Sequence, residues 1–129
     1  MKSQSSTEFM IFVGIAIFVL MLYFGVSNHY LNLTLKEREV ITGQDLARQL
    51  KNEINLAARV EDNYQRIFQL PYSVVNKNFN VTFNIREVVV NIDNDEYVEL
   101  LAADVGNEIT FSAGDAFTIR KTNDVVSIT

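Results

Sequence analysis

The sequence contains no cysteine, and it has one histidine, His29, and one proline, Pro71, among its 129 residues. Without cysteine the chain forms no disulfide and offers neither a thiolate nucleophile nor a Cys/His zinc site. A single histidine also argues against a Ser/His/Asp triad. We interpret His29 as an ordinary residue of a membrane–water interface. We therefore expect a protein that is not an enzyme and that holds no metal or cofactor.

Positive charge is also scarce. The 11 lysines and arginines face 16 aspartates and glutamates, which gives a formal net charge of −5. Phosphate backbones are bound by basic stripes, and no run of lysine or arginine occurs here. We expect neither a specific nucleic acid nor a small-molecule substrate among the partners.

Charged residues are missing altogether from one stretch, the apolar run FMIFVGIAIFVLMLYFGV at residues 9–26. As a helix, these 18 residues would extend about 27 Å, which is close to the hydrocarbon thickness of a bilayer. Lys2 precedes the run, and this weak bias places the amino end in the cytoplasm and the chain after Ser27 outside.

A second helical pattern follows the run. Its apolar positions recur at spacings of 4, 4 and 3 and are Leu46, Leu50, Ile54 and Ala57. This spacing predicts an amphipathic helix. Because no proline precedes Pro71, the run and this stretch can form one helix of about 50 residues that ends near Asp62. Gly25 and Gly43 are its weak points, where we expect a bend or a local melt.

From residue 64 onward the pattern changes to period 2. Alternating apolar residues predict strands with one buried face, at Phe79, Val81, Phe83 and Ile85, and then at Val88, Val90 and Ile92. Further short strands fit residues 97–102, 108–112, 116–120 and 125–128, with turns between them. The pattern indicates an antiparallel meander.

Together these segments predict an α+β fold. A long hydrophobic N-terminal helix carries a small C-terminal antiparallel β domain, which packs on the C-terminal half of the helix in a lollipop arrangement. We divide the chain into a leader at 1–3, an apolar helix at 4–27, its amphipathic continuation at 28–63 and the β domain at 64–129.

A short motif stands directly before the apolar run. Gln4, Ser6, Glu8 and Phe9 form the pattern Q-x-S-x-E-F. This pattern resembles the class III signal peptide of archaeal type IV prepilins, and residues 63–71 are similar to the helix-to-sheet junction of archaeal pilin-like subunits. The resemblance implies that a prepilin peptidase cuts the Ser3–Gln4 bond, so that Glu8 becomes the fifth mature residue.

The resemblance also implies a function. The chain would be the structural subunit of an archaeal type IV pilus-like filament serving adhesion, held in the cell membrane as a precursor and then extracellular on the cell surface. Its partners would be further copies of itself, the prepilin peptidase, an assembly ATPase and a membrane platform protein. Glu8 and Phe9 would take part in assembly, and the small residues Gly14, Ala16 and Gly25 would let neighbouring helices approach closely.

Two other interpretations stay open. The chain is compatible with a single-pass membrane-anchored binding domain or with a minor pilin-like component of a secretion or sensing machine. Alternatively, the small-x-small pattern Gly25-Val26-Ser27 is compatible with a secretory signal peptide that releases a soluble β-rich binding protein.

Two sequons mark candidate N-glycosylation sites, at Asn32 and Asn80, and Asn80 falls on the wet face of a predicted strand. The acidic stretch Asn91, Asp93, Asp95 and Glu96 has carboxylates at the spacing of a calcium loop. It lacks the glycine that an EF-hand requires, so a solvated hairpin turn is the expected structure.

Overall fold

The protein is described from a computed structural model, which describes the backbone of residues 2–129 and the side chains of residues 6–129. One helix and seven strands make up the fold. They are α1 (Lys2–Arg59), β1 (Gln65–Gln69), β2 (Phe79–Asn84), β3 (Glu87–Ile92), β4 (Asp95–Leu100), β5 (Ile109–Ser112), β6 (Ala116–Thr122) and β7 (Val125–Ile128). The fold is α+β, as the sequence predicts. The chain divides into two compact units, an N-terminal unit, Met1–Glu37, and a globular unit, Arg38–Thr129.

Helix α1 is continuous over 58 residues and passes through both Gly25 and Gly43. The expected local melt at these glycines is wrong, because both lie inside the hydrogen-bonded helix. The helix ends at Arg59, slightly earlier than predicted, and Asn63 then takes a positive φ of 73°. Asparagine tolerates this left-handed conformation, which turns the chain into β1.

The strands form two antiparallel sheets where the sequence predicted one meander. The four-stranded sheet has the order β4-β3-β2-β5, and the three-stranded sheet has the order β1-β6-β7. Strands β2, β3 and β4 do follow one another as hairpins, but β5 returns to the far side of β2. Strand β1 was not predicted, because its sequence QRIFQ does not alternate: its two apolar residues, Ile67 and Phe68, are adjacent.

The predicted helix stripe is confirmed. Leu50, Ile54 and Ala57 are fully buried and Leu46 nearly so. The alternating residues of β2 and β3 cover this stripe, and all six from Phe79 to Ile92 that point inward are buried. Ile85 is the exception. Its side chain is 62% exposed, because β2 ends at Asn84 and Ile85 lies in the two-residue turn that leads to β3.

One phenylalanine joins the two sheets. The ring of Phe117 in β6 lies 5.4 Å from that of Phe68 in β1, 4.9 Å from that of Phe111 in β5 and 5.2 Å from that of Phe83 in β2, measured between centroids. Each pair takes a stacked or edge-on geometry that aromatic rings favour. The globular unit therefore has one core, to which both sheets and the helix stripe contribute.

Candidate functional site

The apolar side chains of the N-terminal unit are exposed along the helix. Between Glu8 and Lys36 lie 27 residues without a lysine, arginine, aspartate or glutamate, so the charge-free part of α1 extends about 40 Å. Its large apolar side chains are exposed on all sides, from 37% for Val13 to 73% for Phe12. Within the part of the chain that the structure describes, α1 is the one helix long and apolar enough to cross a membrane. The chain is thus compatible with membrane insertion.

The predicted assembly residues lie along this helix. Glu8 and Phe9 are exposed where the apolar run begins, and Ala16 is exposed within it. A methyl group added at Gly14 or Gly25 would meet no atom within 4 Å apart from the adjacent helix backbone. At Gly14 and Gly25 the helix therefore has no side chain, so a partner could approach its backbone closely. The side chains of Ser3 and Gln4, at the predicted cut, lie outside the described residues.

The two sequons lie in different units. Asn32 is exposed on α1, in the charge-free part of the helix. Asn80 is exposed on the outer side of β2, between the buried residues Phe79 and Val81, as the strand pattern predicts. The hydroxyl oxygen of Thr82, which completes the second sequon, lies 3.0 Å from that of Thr110 on β5.

The acidic stretch of the β3–β4 hairpin is held by polar partners. Asp93 forms an ion pair with Lys77 at 2.8 Å, and the Asn91 amide donates to Glu96 at 3.4 Å. Among the described residues, no group of three or more His, Cys, Asp or Glu side chains is placed to hold a metal ion.

Lys77 connects the helix to this hairpin. Its ammonium group lies 2.8 Å from the carboxylate of Glu39, a buried residue of α1, and 2.8 Å from that of Asp93. Hydrogen bonds to Asp93 and then to Glu39 raise the pKa of Lys77 above its ordinary value. A two-residue turn directs Lys77 to this place, with Val75 and Asn76 at φ values of 51° and 59°. Such φ values are costly for a β-branched residue such as Val75.

A second link ties edge strand β4 to the helix. The carboxylate of Glu99 lies 2.8 Å from the ammonium of Lys51 and 3.4 Å from the guanidinium of Arg48. The hydrogen bond from Lys51 is the main reason why the pKa of Glu99 is lowered. The side-chain oxygen of Asn55 accepts a hydrogen bond from the backbone of Ala102, just after β4. These contacts hold edge strand β4 against the helix.

The C-terminal end of α1 is capped by a lysine from the sheet. Lys121 of β6 is 7% exposed, and its ammonium donates to the carbonyl oxygens of Ala58 and Val60, each at 2.9 Å. These carbonyls have no partner within the helix, and a cation is favourable at this end of the helix dipole. The carboxylate of Asp124 lies 2.9 Å from the same ammonium, and the hydrogen bond from Lys121 lowers the pKa of Asp124.

Gly43 provides a close approach between the helix and β4. A Cβ at this position would lie 2.6 Å from two ring carbons of Tyr97, so the ring rests directly on the helix backbone. Tyr97 is 8% exposed, and its hydroxyl has no hydrogen-bond partner among the described residues. Burial raises the pKa of Tyr97.

Sequence reasoning missed the charged residues that hold the globular unit together. The signal was present, because Lys121 continues the inward alternation of Phe117 and Ile119, and Glu39 precedes Gly43 by four residues on the buried side of the helix. A charged residue in the buried phase of a strand or helix indicates a specific partner. Its identity depends on tertiary structure.

Comparison of the chain with protein-family models, with the curated proteins and with the solved structures finds no match.

Proposed function

We propose that this protein is the structural subunit of an archaeal type IV pilus-like extracellular filament. The precursor waits in the cell membrane, a prepilin peptidase cuts it before Gln4, and the mature chain is assembled through its N-terminal helix. The filament serves adhesion. The Q-x-S-x-E-F motif supports the processing step, and the geometry of α1 supports assembly.

The observation that carries the proposal is the length of the charge-free part of α1 and the exposure of its apolar side chains. A bilayer core of about 30 Å covers roughly 20 helical residues, whereas the charge-free part of α1 has 27. Tyr30, Leu31, Leu33 and Leu35 remain 49% to 65% exposed beyond the apolar run. A bundle of identical helices could cover these side chains as well. Close packing would be possible at Gly14 and Gly25, which have no side chain. A simple membrane anchor has no need of these exposed apolar side chains beyond the run.

The deciding experiment is the mass and amino-terminal sequence of the protein recovered from cells, together with its state after shearing. A chain that begins at Gln4 and sediments in high-molecular-weight fibres supports the proposal. A chain that begins at Met1 and stays in the membrane supports the anchored binding domain instead. A soluble chain that begins at Asn28 supports secretion.

Glu8 provides a test of how assembly is directed. In a filament core a lone carboxylate would cost several kcal/mol unless it were paired, and cleavage before Gln4 creates an amino group that a neighbouring subunit can supply. We expect Glu8→Ala to leave the globular unit folded and cleavage largely intact, yet to reduce filament yield sharply. Glu37→Ala, which removes the other acidic residue of the N-terminal unit, is the control. Wild-type filament yield for Glu8→Ala would show that apolar packing alone organises the core.

A further inference from the structure

The three-stranded sheet has an outer face without acidic side chains. Phe117, Ile119 and Lys121 point into the core, so the alternate residues of β6 point outward together with those of β1. We call this surface the acid-free face, and its residues are Gln65, Ile67 and Gln69 of β1 and Ala116, Thr118 and Arg120 of β6. Strand β7 continues the face, and its sequence VVSI contains no acidic residue.

This face is unusual for the unit that carries it. The globular unit has nine lysines and arginines against 14 aspartates and glutamates. The outer side of the four-stranded sheet, by contrast, carries Glu87 and Glu96. On the acid-free face the one charged side chain is Arg120, which makes no ion pair with any described residue, and Ile67 is 70% exposed.

We propose that the acid-free face is the surface on which the globular unit of a second copy of this chain docks within the filament. The inference rests on the proposed function and adds a second contact to the helical one. Closely spaced acidic units repel one another, and charges of like sign facing each other across an interface cost several kcal/mol. A face of amides, hydroxyls, one isoleucine and one arginine avoids that cost, and Arg120 meets the acidic surface of the neighbour.

The size of the face indicates how the contact works. Three strands spaced about 4.8 Å apart and four to seven residues long cover roughly 300 Å², well below the roughly 800 Å² per partner of a stable complex. The contact is therefore too small to form a dimer in solution. It becomes effective when the helices hold neighbouring units at high local concentration. Because it joins two different surfaces, it can continue from copy to copy along a polymer.

The test adds two negative charges inside or outside the face and uses the full chain in cells that carry the assembly machinery. The test variant is Gln65→Glu with Gln69→Glu, and the control is Asn78→Asp with Asn94→Asp, at exposed amides outside the face. Both change the net charge equally, and all four positions are solvent-exposed. Gln65 lies directly opposite Arg120, so a carboxylate there gains a cross-strand partner and the sheet stays folded. Proteolytic resistance of each variant checks the fold.

We expect the test variant to be processed normally and to give at least ten-fold fewer sheared filaments than wild type. The control should match wild type. Equal filament yields for the two variants, whether high or low, would overturn the proposed face while leaving the filament function intact. If wild-type chains form no filaments at all, the proposed function itself fails, and the docking face fails with it.

Discussion

Lys121 shows how much a single side chain contributes at the residue scale. Its ammonium satisfies two carbonyl oxygens at the end of α1 from a nearly buried position. We expect Lys121→Met to lower the free energy of unfolding by about 2 kcal/mol, because hydrogen bonds from a charged donor contribute about 1.5 to 3 kcal/mol. Urea unfolding of the detergent-solubilised chain, followed by near-ultraviolet circular dichroism of the tyrosines, measures this loss.

The neighbouring residue supplies the control for Lys121. Arg120 lies on the same strand with its side chain outward and exposed, so Arg120→Met should change the free energy of unfolding by less than about 0.5 kcal/mol. Equal losses for the two variants would mean that the cap contributes nothing specific.

Gly43 and Gly25 of α1 should respond differently to substitution by alanine. At Gly43 the new methyl group would clash with the buried ring of Tyr97. Overpacking of this kind costs about 1 to 3 kcal/mol and outweighs the gain of about 1 kcal/mol in helix propensity. We therefore expect Gly43→Ala to destabilise the globular unit, as measured by urea unfolding. A stabilising effect would show that the ring of Tyr97 moves away at little cost.

At Gly25 nothing opposes the added methyl group in the isolated chain. Gly25→Ala should therefore leave the stability of the globular unit unchanged while stiffening the helix. A fall in filament yield for this variant would then indicate that a neighbouring helix packs closely at Gly25.

At the scale of the elements, long periodic patterns were readable from the sequence and pairings were not. The stripe from Leu46 to Ala57 and the alternation in β2 and β3 both follow from burial on one side of an element, which leaves a local signature. Strand β1 has no such signature, because four of its five residues are exposed and only Phe68 is partly buried, and its pairing with β6 joins residues about 50 positions apart. Ile85 shows the same limit, since alternation does not reveal where a strand gives way to a turn.

Helix α1 also yields a prediction about the elements. A fragment that begins at Asn28 lacks the apolar run but keeps the buried stripe and the ion pairs of Glu39, Lys51 and Glu53 with the rest of the globular unit. We expect it to be a soluble, folded monomer without detergent, because the globular unit has its own core. Light scattering coupled to size exclusion and a cooperative thermal melt check both properties. Filaments formed by this fragment would refute assembly through the helix.

In the candidate site, too, contiguous features could be predicted from the sequence and features created by strand pairing could not. The apolar run, the processing motif and the sequons could be located from the sequence because each is contiguous. The acid-free face could not, because Gln65 and Arg120 become neighbours only through strand pairing.

At the scale of the whole molecule, the carboxyl groups of Glu99 and Asp124 make stability depend on acid. Hydrogen bonds from Lys51 and from Lys121 lower their pKa values below the ordinary 4.5 and 3.8. A lowered pKa stabilises the folded state fully above the ordinary value, and this contribution is lost as the pH falls through the lowered one. The free energy of unfolding should thus be steady near pH 7 and decline below about pH 4.

Urea unfolding from pH 7 down to pH 2 tests this dependence. Glu99→Gln should be less stable at neutral pH and should show a shallower decline in acid than the wild-type protein. A decline of the same depth in Glu99→Gln would mean that other groups control the response to acid.

The continuous helix also has a mechanical consequence. A pull along α1 is carried by its backbone hydrogen bonds into the stretch from Glu39 to Ala57, which both sheets cover over about 27 Å. Force applied in this direction loads the contacts between the helix and the sheets in shear, so that the buried side chains and the ion pairs of the helix yield together. A force across the sheets, which separates the strands one at a time, would need to be much smaller. The globular unit is therefore built to remain folded when tension reaches it through the helix, and force spectroscopy with the pull along α1 should give a higher rupture force than a pull across the sheets.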